Sequence, residues 1–398
     1  MKTTKPLVAG SVGAVLCALA PAAHATNGDQ MTALSAQQAA MGGATTAQAQ
    51  DALTVLVNPA GMADLGMTDV RMDLGFGLLN PPREVNGQES DSNWYMMPGG
   101  AVAFNVNNRL YLGMGLGGIA GMGVNVPDIA PAPGNQPVVT TKQVFRFSPA
   151  AAFKVNEAFT LGAALNVVNQ NLAMTVPGMP GSGVASVSMP QNGQFGFGAT
   201  LGATYKINPM LQAGLTYQSK TDVATMKYNT TAGQTSFDMD MPASYALGLS
   251  VKPMPGLQVE FDIKRILFAD VMESIPVTNA PDGFPTVLKF GWEDQTVYAI
   301  GVKKDLGKMA LSVGYNYGES PIGPEDVNSN LGSTAIVEHH LSIGVTRKFS
   351  DKVSGSFAYT RAFANDLTSS VPAPGTTSFY NTIEIEQNQY NLNISYVF

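Results

Sequence analysis

Few residues in this 398-residue chain are of a type and spacing that could do chemistry. His340-Leu341-Ser342 sets an imidazole and a hydroxyl two positions apart, on one face of a strand, where a base can activate a hydroxyl. No Asn completes that pair on the following segment, where Gly355 and Phe357 stand instead. His339 adjoins His340, so on a strand the two imidazoles point to opposite faces and cannot share a metal. Gly113-x-Gly115-x-x-Gly118 matches a dinucleotide fingerprint, but no helix follows it, so the match is chance. Neither a metal set nor a cofactor is expected. What remains is three cations, Arg71, Arg146 and Lys264, on the polar face of alternating segments. Each can pair with the carboxylate of a small molecule. The alternative is an internal charge network with Asp73, Glu260 and Asp262.

The elements that position these residues follow from composition. The chain is 45% hydrophobic and 13% charged, with about half the usual charge of a soluble domain. A mean hydropathy of +0.05 is too low for a bundle of membrane helices. Residues 1–25 read as a secretory leader: Lys2 and Lys5, an apolar run from Leu7 to Ala20, then Ala23-His24-Ala25. The single cysteine, Cys17, lies within it behind Leu16, which argues against lipid attachment. Cleavage after Ala25 removes two lysines and no acid from a net charge of −7, leaving an acidic, cysteine-free chain. Nucleic acid is therefore an improbable partner, since phosphate binding needs a basic footprint.

Period-two alternation runs through the rest, as in Val70-Met72-Leu74-Phe76-Leu78, Leu257-Val259-Phe261-Ile263 and Tyr390-Leu392-Ile394-Tyr396-Phe398. Six short breaks alternate with seven longer polar or Pro-rich stretches, near 80–93, 122–141, 173–192, 229–236, 270–286, 318–335 and 364–379. Fourteen strands result, and an even count with short turns at one rim describes a transmembrane antiparallel β-barrel. Residues 110–127 are uncharged and long enough for a membrane helix, but Gly113, Gly115, Gly117, Gly118, Gly121 and Gly123 argue against one. A chain ending in an alternating strand with a terminal aromatic, Phe398, resembles a substrate of the outer-membrane assembly machinery. Trp94 and Trp292 fall near strand ends, as in an interfacial girdle. Residues 26–66 lack alternation and are rich in Ala and Gly, which suits packing inside the lumen, with short helices near 32–41 and 46–53.

Asn58-Pro59-Ala60-Gly61-Met62-Ala63, preceded by Met41-Gly42-Gly43-Ala44 and Asp51-Ala52, resembles the hatch of the FadL/TodX family of outer-membrane transporters for hydrophobic compounds. Phe195 to Tyr205 with Leu211 to Lys220 is similar to that family's mid-barrel hairpin, and Met239-Asp240-Met241-Pro242-Ala243 to its next strand entry. The likeness extends over the mature chain in order. It implies residues 26–66 as an N-terminal hatch closed by Asn58, Pro59, Ala60 and Gly61, and residues 67–398 as the barrel. It further implies passive uptake of long-chain fatty acids or hydrocarbons, with no enzymatic activity. Substrate would enter a groove among outer loops and pass to a pocket above the hatch. It would leave sideways through a kink in the third strand into outer-membrane lipid and lipopolysaccharide. Gly113, Gly115, Gly117, Gly118 and Gly121 are the wall-opening candidates, although such glycines also suit a crowded interior beside a hatch. Val124, Val126 and Ile129 are the outer-groove candidates. Two rivals stand beside this reading: a general diffusion porin, and an outer-membrane phospholipase using His340 and Ser342.

Overall fold

The computed structural model describes residues 27–129, 137–179, 181–184 and 186–398. The expected leader, its cleavage after Ala25 and the middle of the loop at 122–141 lie outside the described residues. Fourteen long strands form the wall: β1 (Val70–Asn80), β2 (Tyr95–Asn105), β3 (Leu110–Val126), β4 (Val138–Lys154) and β5 (Phe159–Pro177). They continue as β6 (Ser186–Asn208), β7 (Leu211–Gln218), β8 (Ser244–Met254), β9 (Leu257–Ile266) and β10 (Gln295–Asp305). The last four are β11 (Met309–Gly318), β12 (His339–Lys348), β13 (Val353–Thr368) and β14 (Thr382–Val397). Each pairs antiparallel with its neighbours in sequence. β14 closes on β1 from Arg71↔Val397 to Asn80↔Asn388. Closure satisfies the ladder without an edge, the condition for spanning hydrocarbon with strands.

The short turns are built by their own side chains. Asn107 Oδ1 accepts the N–H groups of Arg109 and Leu110, both at 2.9 Å, between β2 and β3. Asn156 does the same for Ala158 (2.9 Å) and Phe159 (2.8 Å) between β4 and β5. Asn favours such turns because its side chain mimics a backbone acceptor. The tight turns then fix register, and register fixes which alternate residues face out. Leu74, Phe76, Phe261, Leu392 and Ile394 face outward and exposed, while Asp73, Glu260, Asp262, Asn391 and Asn393 are buried inside.

At the opposite rim the longer loops fold over the barrel as a cap with its own apolar core, including Val124, Val126, Ile129, Met239, Phe268 and Trp292. Within it, the hairpin of Met226–Thr230 and Gly233–Phe237 stacks Tyr228 on Phe237 at 5.6 Å. Burial raises the Tyr228 phenol well above its ordinary pKa, and it donates to the Leu172 carbonyl at 3.1 Å. Val124, Val126 and Ile129, the outer-groove candidates, are buried in the cap core, because several loops together carry enough apolar surface to bury one another. One expectation changes here. Trp292 is fully buried and meets Phe268 edge-on at 5.0 Å, so of the two tryptophans Trp94 alone is exposed at the rim.

The N-terminal segment fills the lumen. It holds a short helix α1 (Ala36–Ala40) and 3-10 turns at Ala52–Leu56 and Pro59–Asp64. Polar side chains cap each of them: Ser35 accepts from Gln38 N (3.1 Å), Asp51 from Leu53 N (3.0 Å) and Asn58 from Ala60 N (3.2 Å). Small residues on the wall make room. A Cβ on Gly314 of β11 would run into the backbone of Gly42, and one on Gly202 of β6 would overlap the Asn58 side chain. Gly314→Val should therefore unseat the plug while leaving strand pairing intact, at a cost of about 1–3 kcal/mol for overpacking. Limited proteolysis of the folded barrel should then cut within residues 41–48, where the parent chain is protected.

Candidate functional site

Inward carboxylates hold the plug by its backbone. Asp262 Oδ2 accepts Thr45 N (2.8 Å) and Thr46 N (2.9 Å), and Glu260 Oε1 accepts Ala47 N (2.8 Å) and Gln48 N (2.9 Å). Asp73 accepts Ala52 N at 2.8 Å and pairs with Arg71 at 2.7 Å. Arg71 also donates to the Gln50 carbonyl (3.3 Å), so the first of the three cations is committed to fastening the plug. Asn58 reaches the Thr46 carbonyl (2.7 Å) and Ala203 of β6 (3.3 Å), locking the Asn-Pro-Ala-Gly turn against the wall.

Above the plug lies a cavity of about 120 Å³. It brings together the other two cations, Arg146 of β4 and Lys264 of β9, with apolar walls from Met31, Leu34, Ile119 and Val297. Arg146 donates to the Leu56 carbonyl and to Gln218 Oε1 (2.5 Å), and its buried Nε has no acceptor. Lys264 Nζ donates to Gln30 Oε1 at 2.9 Å. Neither forms an ion pair among the described residues. Asp262 also lines the cavity, but the oxygen it uses is taken by plug amides. Lys264 forms no ion pair with Glu260 or Asp262 among the described residues. Asp262 Oδ2 and Glu260 Oε1 serve plug amides, and Glu260 Oε2 accepts from Gln258 Nε2 at 3.0 Å, while Asp262 Oδ1 is buried without a hydrogen-bond partner there.

The wall is interrupted beside this cavity. β2 and β3 pair from Asn105↔Tyr111 up to Gly99↔Gly117 and no further. Above that point Tyr95 to Pro98 pair only with β1, and Gly118 to Val126 only with β4, across a bulge between Gly118 and Ala120. The freed edge of β3 takes its hydrogen bonds from the N-terminal residues. Met31 N donates to Ile119 O (2.9 Å), and Gly121 N donates to Asp29 O (2.8 Å). A buried ion pair of Asp29 with Lys142 at 2.8 Å anchors that segment to β4. Higher up, Asp91 N donates to Asn125 O (2.8 Å) and Asn125 N to Ser90 Oγ (3.0 Å), so the first outer loop closes the top of the gap.

The five wall-opening glycines thus divide. A Cβ on Gly113 or Gly115 would strike Met62, Val55 or Leu56 of the plug, so these two make room for it, whereas a Cβ on Gly117 would meet Leu56 only at ordinary contact distance. Gly118 sits at the bulge and Gly121 on the strand edge taken by Asp29. Asp29, Gln30, Met31, Lys142 and Ile119 escaped sequence reasoning. The only signal was the turn-like Asn27-Gly28-Asp29 at the head of the mature chain. His340 and Ser342 both point into the lumen, and Ser342 Oγ bonds Thr360 Oγ1 at 2.9 Å. The two share one face, as their spacing requires, but that face is enclosed, and no hydrogen bond joins them among the described residues.

A family model for outer membrane protein transport proteins (OMPP1/FadL/TodX) matches residues 14–398. The chain belongs to this family. Among solved structures it is similar in fold to the toluene transporter TodX of P. putida, at 18% identity and TM-score 0.75, covering 92% of this chain and 98% of that one. It is similar to a FadL homologue of Pseudomonas aeruginosa at 14% identity and TM-score 0.78, covering 93% and 100%. The toluene transporter TbuX of Ralstonia pickettii gives 19% identity and TM-score 0.75, covering 94% and 99%. A sequence search of curated proteins returns no match. As a FadL/TodX-family protein, the chain is an outer-membrane β-barrel of a transport family for hydrophobic compounds.

Glu260→Gln/Asp262→Asn should loosen the hatch of this family member. Hydrogen bonds to charged groups contribute roughly 1.5–3 kcal/mol each, and amide oxygens retain only part of that. The double variant is expected to show frequent ion-conducting openings in planar bilayers where the parent barrel is silent.

Proposed function

We infer that this protein is a passive uptake channel for small hydrophobic compounds that releases them sideways, between β2 and β3, into the outer leaflet. The observation that carries the reading is the interrupted β2–β3 ladder beside a cavity, with the hatch below. An apolar solute gains about 0.8 kcal/mol per buried CH₂ on leaving water. A path through the cap core, past Ile119 and Met31, to hydrocarbon keeps that gain at every step. A cavity of about 120 Å³ is close to the roughly 150 Å³ that houses a benzene ring. A ring-sized body would nearly fill it, and a longer chain would extend toward the gap or the cap.

Arg146 and Lys264 favour substrates that carry an acid group as well as an apolar body, with the two cations as carboxylate partners. The toluene-transporter names of two structural relatives favour neutral aromatics. Signal-peptide removal after Ala25 and barrel insertion through the terminal strand ending in Phe398 complete the proposed route to the outer membrane.

Displacement of a fluorescent fatty acid from refolded protein by oleate and by toluene separates the two substrate classes. Displacement by oleate, weakened about tenfold in Arg146→Gln and in Lys264→Gln, supports the acid anchor, since a charged hydrogen bond contributes roughly 1.5–3 kcal/mol. Displacement by toluene alone makes those cations structural, and no saturable binding at all sinks the channel reading in favour of a porin.

The exit route has its own test. Gly118 is the residue that would next face Pro98 if the ladder continued, and the mature chain has no cysteine. A disulfide formed in Pro98→Cys/Gly118→Cys should stop transfer of substrate into vesicle bilayers without weakening binding, and reduction should restore it. Undiminished transfer through the oxidised barrel would rule out exit at this place.

A further inference from the structure

The rim of short turns carries a cluster of cations that form no ion pair among the described residues. Lys304 ends β10, Lys308 lies in the β10–β11 turn, Arg347 and Lys348 end β12, and Lys352 lies in the β12–β13 turn. The turns are neighbours in space, since Met309 faces Arg347 in the ladder and Lys348 N donates to Lys308 O at 2.9 Å. Lys308, Arg347, Lys348 and Lys352 are exposed, and none of the five forms an ion pair among the described residues. Lys304 only touches the Pro255 carbonyl at 3.3 Å. The two acids of these turns are Asp305 and Asp351, and Asp305 caps its own turn through Gly307 N at 2.8 Å.

Like charges held side by side repel unless a counter-charge covers them. The same stretch of rim exposes Leu306, Met309, Phe349 and, beside it at the end of β14, Phe398. Cations next to exposed apolar side chains at the edge of a lipid-facing wall match the boundary between hydrocarbon and headgroups. The far rim has the opposite sign: residues 319–338 hold Glu319, Glu325, Asp326 and Glu338 and no base. Short turns face the periplasm in barrels of this kind. We propose that the turns around Lys308, Arg347, Lys348 and Lys352 are a docking surface for anionic phospholipid headgroups of the periplasmic leaflet. The apolar side chains would hold the acyl region and the cations the phosphates. The surface fixes the depth of the barrel on the side away from the β2–β3 gap and is independent of the transported substrate.

The test uses the full mature barrel in phosphatidylcholine vesicles containing spin-labelled phosphatidylglycerol or spin-labelled phosphatidylcholine. The motionally restricted fraction of each lipid is read by electron paramagnetic resonance. The parent protein should retain phosphatidylglycerol over phosphatidylcholine by about fivefold, as expected for cations near an anionic surface. Raising salt to about 1 M, where the screening length falls to about 3 Å, should remove most of that preference. Lys308→Gln/Lys348→Gln/Lys352→Gln should bring the ratio close to one, while Lys220→Gln, at the opposite rim, leaves it unchanged. Folding of each variant is checked by its heat-dependent gel mobility. If the triple variant does not fold, the salt titration of the parent barrel decides. No lipid preference in the parent, a preference that survives salt, or one that survives in the folded triple variant would each overturn the proposal. So would capture of an acidic soluble protein at this rim with no lipid preference.

Discussion

Everything inside this barrel depends on how the hatch backbone finds hydrogen-bond partners where there is little water. Residues 45–48 form neither helix nor strand, so their N–H groups have no partner within their own segment. An unpaired buried N–H costs free energy comparable to a lost hydrogen bond. Asp262 and Glu260, alternate residues on one inward face of β9, supply four acceptor contacts to four consecutive amides. The period of a strand and the spacing of an extended hatch segment therefore match. Asp73 and Arg71 repeat the device on β1. Carboxylates serve here because one oxygen accepts more than one donor, as Asp262 Oδ2 and Glu260 Oε1 each accept two amides and Asp73 Oδ2 accepts both Ala52 N and Arg71.

The same requirement explains why the gap in the wall does not unravel the barrel. From Gly118 onward, the edge of β3 has lost β2, and exposed strand edges are unstable. Residues 29–31 take over that edge, with Asp29 held by Lys142 in a buried ion pair. Removing one partner of such a pair costs about 3–5 kcal/mol, so the N-terminal segment is firmly attached where the wall is weakest. Gly28, at φ +60°, passes so close under Phe268 and Trp292 that any Cβ would strike the Phe268 ring. Cap, N-terminal segment and β3 edge are thus in direct contact.

Much of this was legible in the sequence, for a simple reason. Alternation and Asn-built turns are local, so the fourteen strands and the two kinds of connection can be read residue by residue. The inward position of Arg71, Arg146 and Lys264 follows from the same period. Their partners do not. Asp73 was a visible choice for Arg71 two residues away on one face, whereas Glu260 and Asp262 looked equally available to Lys264. Only the three-dimensional seat of residues 45–48 shows that one oxygen of each is committed to hatch amides. The burial of Val124, Val126 and Ile129 was hidden for a related reason: sequence shows an apolar loop but not that other loops will cover it. Trp292, unlike Trp94, packs in the cap core, edge-on to Phe268, with its indole N–H donating to Asn330 at 2.8 Å.

The lumen therefore divides its charges by role. Acids are spent on backbone amides, which are neutral, so fastening the hatch leaves cations uncompensated instead of consuming them. Arg71 is recovered by Asp73. Arg146 and Lys264 are held by neutral oxygens, those of Leu56, Gln218 and Gln30. Such partners orient a buried cation without cancelling its charge, and a buried charge left so is costly. A fold selected for stability alone would place an acid beside each of them, since the same wall has acids two and four residues before Lys264. That neither cation is ion-paired among the described residues, at the cavity next to the opening in the wall, is what supports the proposed role of the pair as carboxylate partners.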